Sequence, residues 1–177
     1  VVVNVNSLPI VDAGADQTIC SGNPLTISGT GATSYTWDNG VSDAVAFSPT
    51  STTTFTVTGT DANGCVNTDQ VIVNVNSLPI LDAGADQTIC SGNPVTISGT
   101  GATSYTWDNG VSDGVAFSPL STATYTVTGT DGNGCINSDQ VVVNVNSLPI
   151  VDAGADQTIC SGNPVTISGT GATSYTW

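Results

Sequence analysis

Apolar and polar positions alternate along this chain with a period of two, in short bursts separated by turn signals. Thr53–Thr60 reads Thr-Thr-Phe-Thr-Val-Thr-Gly-Thr. That pattern puts Phe55 and Val57 on one face of a strand and Thr54, Thr56 and Thr58 on the other. Val66–Asn76 predicts a longer strand with Val71, Val73 and Val75 inward. Asp16–Cys20, Leu25–Gly29 and Ser34–Asp38 predict three more, and Val45–Phe47 a short extended segment. The turns between them fall at Ser21-Gly22-Asn23-Pro24, Gly29–Ala32, Asn39-Gly40, Pro49 and Asp61-Ala62-Asn63-Gly64. Gly and Asn tolerate left-handed backbone there, and Pro fixes φ.

The pattern then recurs. VNVNSLPI occurs at Val3–Ile10, Val73–Ile80 and Val143–Ile150, and residues 11–80 match residues 81–150 at 60 of 70 positions. A unit of this size suits one small β-sandwich better than one turn of a solenoid. The expected divisions are residues 1–6 as the last strand of a preceding repeat, 7–76 and 77–146 as two repeats, and 147–177 as the first strands of a truncated one. Ser77-Leu78-Pro79 is the linker, too short and stiff for free swinging. This framing reads the 177 residues as a window on a longer tandem array.

Composition narrows the chemistry. The chain has no Lys, Arg or His, and its 14 acidic residues, all Asp, give a net charge of −14. Phosphate neutralisation, and with it nucleic-acid binding, is excluded. A lysine nucleophile, an arginine finger and a histidine base are impossible. Zinc ligation and basic membrane-surface binding are excluded for want of ligands and cations. Hydrophobic residues are 38% of the chain, dominated by strand formers. No apolar run approaches the roughly 20 residues of a membrane helix, so no direct insertion is expected.

Asp16-Gln17-Thr18, Tyr35-Thr36-Trp37, Tyr125-Thr126-Val127 and Asp131-Gly132-Asn133-Gly134-Cys135 carry a resemblance that spans the whole chain. The chain resembles the tandem Ig-like and PKD-like repeats of giant Bacteroidota cell-surface proteins, such as gliding-motility adhesins exported by type IX secretion. Of the PKD signature only Trp37-Asp38-Asn39-Gly40 is present. The resemblance implies an all-β fold: tandem Ig-like (PKD-like) sandwiches of about seven strands, arranged as a rod or fibre outside the cell. Trp37, Trp107, Tyr35, Tyr105, Phe55 and Tyr125 are then the aromatic core.

The cysteines Cys20, Cys65, Cys90, Cys135 and Cys160 have no CxxC spacing, and in an exported β protein they read as structural disulfides. Two pairings stand. Within a unit, Cys20–Cys65 and Cys90–Cys135 would each stabilise by roughly 4 kcal/mol through loop closure. In an Ig-like strand order, however, those two cysteines lie at opposite ends of a domain, and a staple such as Cys20–Cys135 across a junction becomes the alternative.

The aspartates offer turn formation as their first use. The alternative is calcium, the one cofactor with candidate ligands: Asp12, Asp16, Asp61 and Asn63, and Asp82, Asp86, Asp131 and Asn133 at the domain ends. Asp61-Ala62-Asn63-Gly64 opens like a calcium loop, but its twelfth position is Ile72 rather than an acid. No nucleophile–base pair can be assembled, so no enzyme is expected. The expected function is a load-carrying surface fibre in attachment or gliding. Its partners would be neighbouring repeats, surface glycans or other copies of the fibre. The rivals are a glycan- or protein-binding array and a subunit of a laterally assembled filament or sheath.

Overall fold

A computed structural model describes residues 1–177. It contains no helix, and therefore none long and apolar enough to cross a membrane. Eight strands form, four in each 70-residue unit: β1 Gln17–Cys20, β2 Ser34–Trp37, β3 Thr53–Thr60 and β4 Val66–Asn76, then β5 Gln87–Cys90, β6 Ser104–Trp107, β7 Ala123–Thr130 and β8 Ile136–Asn146.

Each unit builds one four-stranded sheet, with the orders β1-β4-β3-β2 and β5-β8-β7-β6. Long ladders join the strands with the clearest alternation: β3 and β4 are antiparallel from Thr53↔Val73 to Thr60↔Val66. β2 adds on antiparallel through Trp37↔Val57, and β1 adds on parallel through Gln17↔Val73 to Cys20↔Asn76. The opposing layer is held by single bridges, Asp12↔Thr30 and Leu25↔Phe47, repeated as Asp82↔Thr100 and Val95↔Phe117. Three antiparallel strands with the chain's third, penultimate and last strand in that order, faced by the earlier segments, form the sheet arrangement of an Ig-like sandwich.

The core sits between these layers. Trp37, Phe55, Val57, Val71 and Val73 of the sheet meet Val11, Ala13, Leu25 and Ile27 opposite. The second core has Tyr125, Val127, Val141 and Val143 against Ala83, Val95 and Ile97. Phe47 packs edge-on against Phe55 at 5.1 Å, and Phe117 against Tyr125 at 5.0 Å. Trp37 is buried, whereas Trp107, Tyr35 and Tyr105 are half-buried and pack against the cores. Each tyrosine hydroxyl donates to the backbone carbonyl, and accepts from the N–H, of Ala32 or Ala102 at 2.7–2.8 Å.

Three expectations need correction. Four regular strands per unit replace about seven. Leu25–Gly29 makes no ladder because its groups are taken elsewhere: Ile27 accepts from Ala44 N–H, and Gly29 N–H donates to the Asp43 carboxylate. Thr56 and Thr58 are half-buried rather than fully wet. Residues 1–6 form no strand, and residues 147–177 form none either, only the Asp152↔Thr170 bridge. The counterparts of β1 and β2 pair only with β4- and β3-type strands, and residues 151–177 contain neither.

Candidate functional site: a stapled junction

Cys20 is the last residue of β1, and Cys135 stands directly before β8. The two form a disulfide across the junction between units, with Cα atoms 5.5 Å apart and a sequence separation of 115. Pairing within a unit is ruled out by the parallel register. Cys20 lies beside Asn76 at the far end of β4, while Cys65 precedes Val66 at its near end. Eleven residues of strand put them roughly 35 Å apart, far beyond the ~7 Å a disulfide spans. Cys65, Cys90 and Cys160 are free thiols.

The turn that presents Cys135 is held by hydrogen bonds of its own. Asp131 Oδ1 accepts from Asn133 and Cys135 N–H, both at 2.8 Å, and Asp131 N–H donates to the Cys135 carbonyl. Asp61 does the same for Cys65. Cys135 is fully buried at the junction, whereas its counterpart Cys65 is half-buried. The linker is seated too. Pro79 is buried and its carbonyl accepts from Asn137 Nδ2 at 3.0 Å. Ile80 carbonyl lies against Gly101, where an added Cβ would come within 1.8 Å of that oxygen.

All six aspartates of each closed unit accept a backbone N–H. Asp12 takes Gly14, Asp16 takes Ile72 and Asp38 takes Thr56. Asp43 takes Gly29 and also Trp37 Nε1, Asp61 takes Asn63 and Cys65, and Asp69 takes Ala13. Asp82, Asp86, Asp108, Asp113, Asp131 and Asp139 repeat the set. The N–H groups of Ala13 and then Gln70 hold the Asp69 carboxyl below its ordinary pKa, against a small opposing effect of burial; Ala83 and Gln140 do so for Asp139. Of the calcium candidates, Asp12, Asp16, Asp61, Asp82, Asp86 and Asp131 each have an oxygen committed this way, and nowhere do three acids gather as ligands. Asn63 and Asn133 contribute their backbone N–H to the turn. Such an arrangement does not fit a calcium cage of six to eight oxygens.

Sequence reasoning missed the roles of Asp43, Asp69 and Asn67 and of their copies Asp113, Asp139 and Asn137. The one signal was two polar residues, Asn67 and Asp69, on the inward parity of Val71, Val73 and Val75. A hollow lies among Val151, Asp152, Tyr175 and Trp177, and residues 1–150 contribute no wall to it.

Fold and site together define a tandem pair of Ig-like sandwiches with a covalent bond across their junction. No protein-family model and no curated protein sequence matches the chain. Among solved structures it is similar to the insect immune protein hemolin, at 16% identity over 78% of this chain and 46% of hemolin, with a TM-score of 0.39. It is also similar to the N-terminal eight Ig domains of Down Syndrome Cell Adhesion Molecule (14%, 92% of this chain, 32% of that one, TM-score 0.36) and to titin domains Z1Z2 in complex with telethonin (13%, 82% and 100%, TM-score 0.32). The chain thus spans less than half of the hemolin and cell-adhesion-molecule chains.

Proposed function

We propose that this chain is a structural, non-enzymatic segment of an extracellular surface fibre, built of Ig-like units and bearing load in attachment. The Cys20–Cys135 bond carries this reading. A disulfide persists in an oxidising compartment, and one placed between consecutive units restrains the joint rather than a single fold. Pro79 and Ile80 fasten the linker to the second unit, as Pro9 and Ile10 are fastened in the first. Uniform negative charge with no cation keeps such fibres apart. The finer assignment, a gliding-type adhesin of Bacteroidota exported by type IX secretion, rests on the sequence resemblance alone. The partners are then adjoining repeats and surface glycans or proteins met by the fibre.

Small-angle scattering and electron microscopy of the oxidised chain test this reading. The expected particle is a stiff rod with about 35 Å of length per unit, from strands of 11 residues. A broad distribution of bend angles in the oxidised state overturns it. A laterally assembled filament is the second reading, favoured by Ile10, Ile80 and Ile150, which recur every 70 residues and are 86–90% exposed. Replacing Ile10 and Ile80 by Asn would leave a rod unchanged and dissolve a bundle.

A further inference from the structure

The disulfide joins particular strand ends. β1 runs in the chain's forward direction into Cys20, and β8 leaves Cys135 in that same forward direction. The bond therefore splices the exit of one strand to the entrance of another, and every residue between is by-passed. The geometry points to a force shunt: tension along the chain passes from β1 through the sulfur bridge into β8, and residues 21–134 stay out of the covalent load path.

Without the bond, force enters unit one through residues 9–13, held by Asn67, Thr30 and Asp69, passes into β1, and leaves at the end of β4. These strands are parallel neighbours joined over only four register pairs. Shear would break this short contact first, and the rest of the unit would follow. With the bond, the covalent path leaves β1 at Cys20 and does not run along β4, which is loaded only through its contacts to Pro9, Ala13, Asp16 and β1. It then runs along β8 from its first residue to its last. A strand pulled at its own two ends is not peeled from its neighbours, and at ~3.4 Å per residue it is already close to the ~3.6 Å limit of a stretched chain. β8 is also held on both edges, by β7 over eight pairs and by β5 over four.

The layout repeats within the chain. Cys90 ends β5 as Cys20 ends β1, and Cys65 precedes β4 as Cys135 precedes β8. Each closed unit thus has one entrance and one exit for such a path. This shunt rests on the load-bearing reading for its purpose, but its mechanics depend only on the bond.

Pulling the full chain through its termini in magnetic tweezers tests it. A sequence separation of 115 hides roughly 400 Å of contour length at ~3.5 Å per residue. The oxidised chain should extend without unfolding steps from either unit and should stop about 400 Å short of the Cys20→Ser chain. Adding a thiol reductant while the oxidised chain is held under force should release that length. This second measurement stays decisive even if the Cys20→Ser chain fails to fold. A chain with Cys65, Cys90 and Cys160 all replaced by Ser should remain short. Equal extension with and without reductant, or release of the full length by the oxidised chain, overturns the shunt. A chain that is short under force but bent in images keeps the shunt and removes the rod.

Discussion

Asp43 is the sharpest place to ask what an all-aspartate charge does in this protein. Its half-buried Oδ1 accepts Gly29 N–H at 2.8 Å and Trp37 Nε1–H at 2.9 Å. It thereby ties the bridged layer to β2 and fixes the indole in the core. Hydrogen bonds to a charged acceptor contribute about 1.5–3 kcal/mol each. Water can reach this half-exposed site and recover part of that, so Asp43→Ala should cost about 3 kcal/mol. Asp43→Asn keeps an acceptor and removes one negative charge from fourteen. If the aspartates matter only as repelling charges, this change stabilises; if they matter as acceptors, it costs about 1 kcal/mol. Urea unfolding followed by tryptophan emission, in a chain with Trp107 and Trp177 replaced by Phe, separates the cases, because Trp37 then reports this contact alone. An Asn variant at or above the parent's stability, together with an Ala variant within 1 kcal/mol of it, would refute the assignment.

Three further outcomes are expected. Gly101→Ala must place a methyl 1.8 Å from the Ile80 carbonyl at φ +92, and should cost about 3 kcal/mol or more in thermal or urea unfolding; Gly110→Ala, at φ +72 with open space, should cost only about 1 kcal/mol of left-handed strain. The carboxyls of Asp69 and Asp139 sit below their ordinary pKa when folded. Their contribution is therefore fully present above the unfolded value of 3.8 and is lost as pH falls through the folded value. A melting curve series should show stability dropping below about pH 4, less steeply in the Asp69→Asn, Asp139→Asn chain. Melting points in excess calcium and in excess chelator should coincide, since each candidate carboxylate is already engaged by backbone; a rise of several degrees with calcium would show that the turns rearrange into a cage.

What could be read from residues alone follows a physical divide. β3 and β4 have the bounds that period-two alternation predicts, because a strand paired along its whole length obeys the pleat. Leu25–Gly29 has the same apolar spacing and buries Leu25 and Ile27, yet it is no strand. Burial decides the spacing, while a ladder also requires a neighbour's backbone, and here an aspartate and a loop take that place. The aspartates show the same divide. Their positions at turns were visible, but their partners were not, because Asp69 reaches 56 residues back to Ala13 and Asp16 reaches 56 forward to Ile72.

For the cysteines, residues alone left the within-unit and cross-junction pairings both standing, and the strand topology decides between them. Once the first strand runs parallel to the last, a cysteine at the exit of one and a cysteine at the entrance of the other are a full strand apart, whatever the packing. The nearest complementary end belongs to the next unit. A chain without cations has no ion pairs with which to fix a joint between units. It can use only backbone hydrogen bonds, apolar contact and sulfur. The apolar contact is spent inside each sandwich, and the carboxylates are spent on backbone N–H groups within the unit. The disulfide is what remains to lock the junction. Reduction should therefore loosen the angle between units well before it lowers the stability of either one.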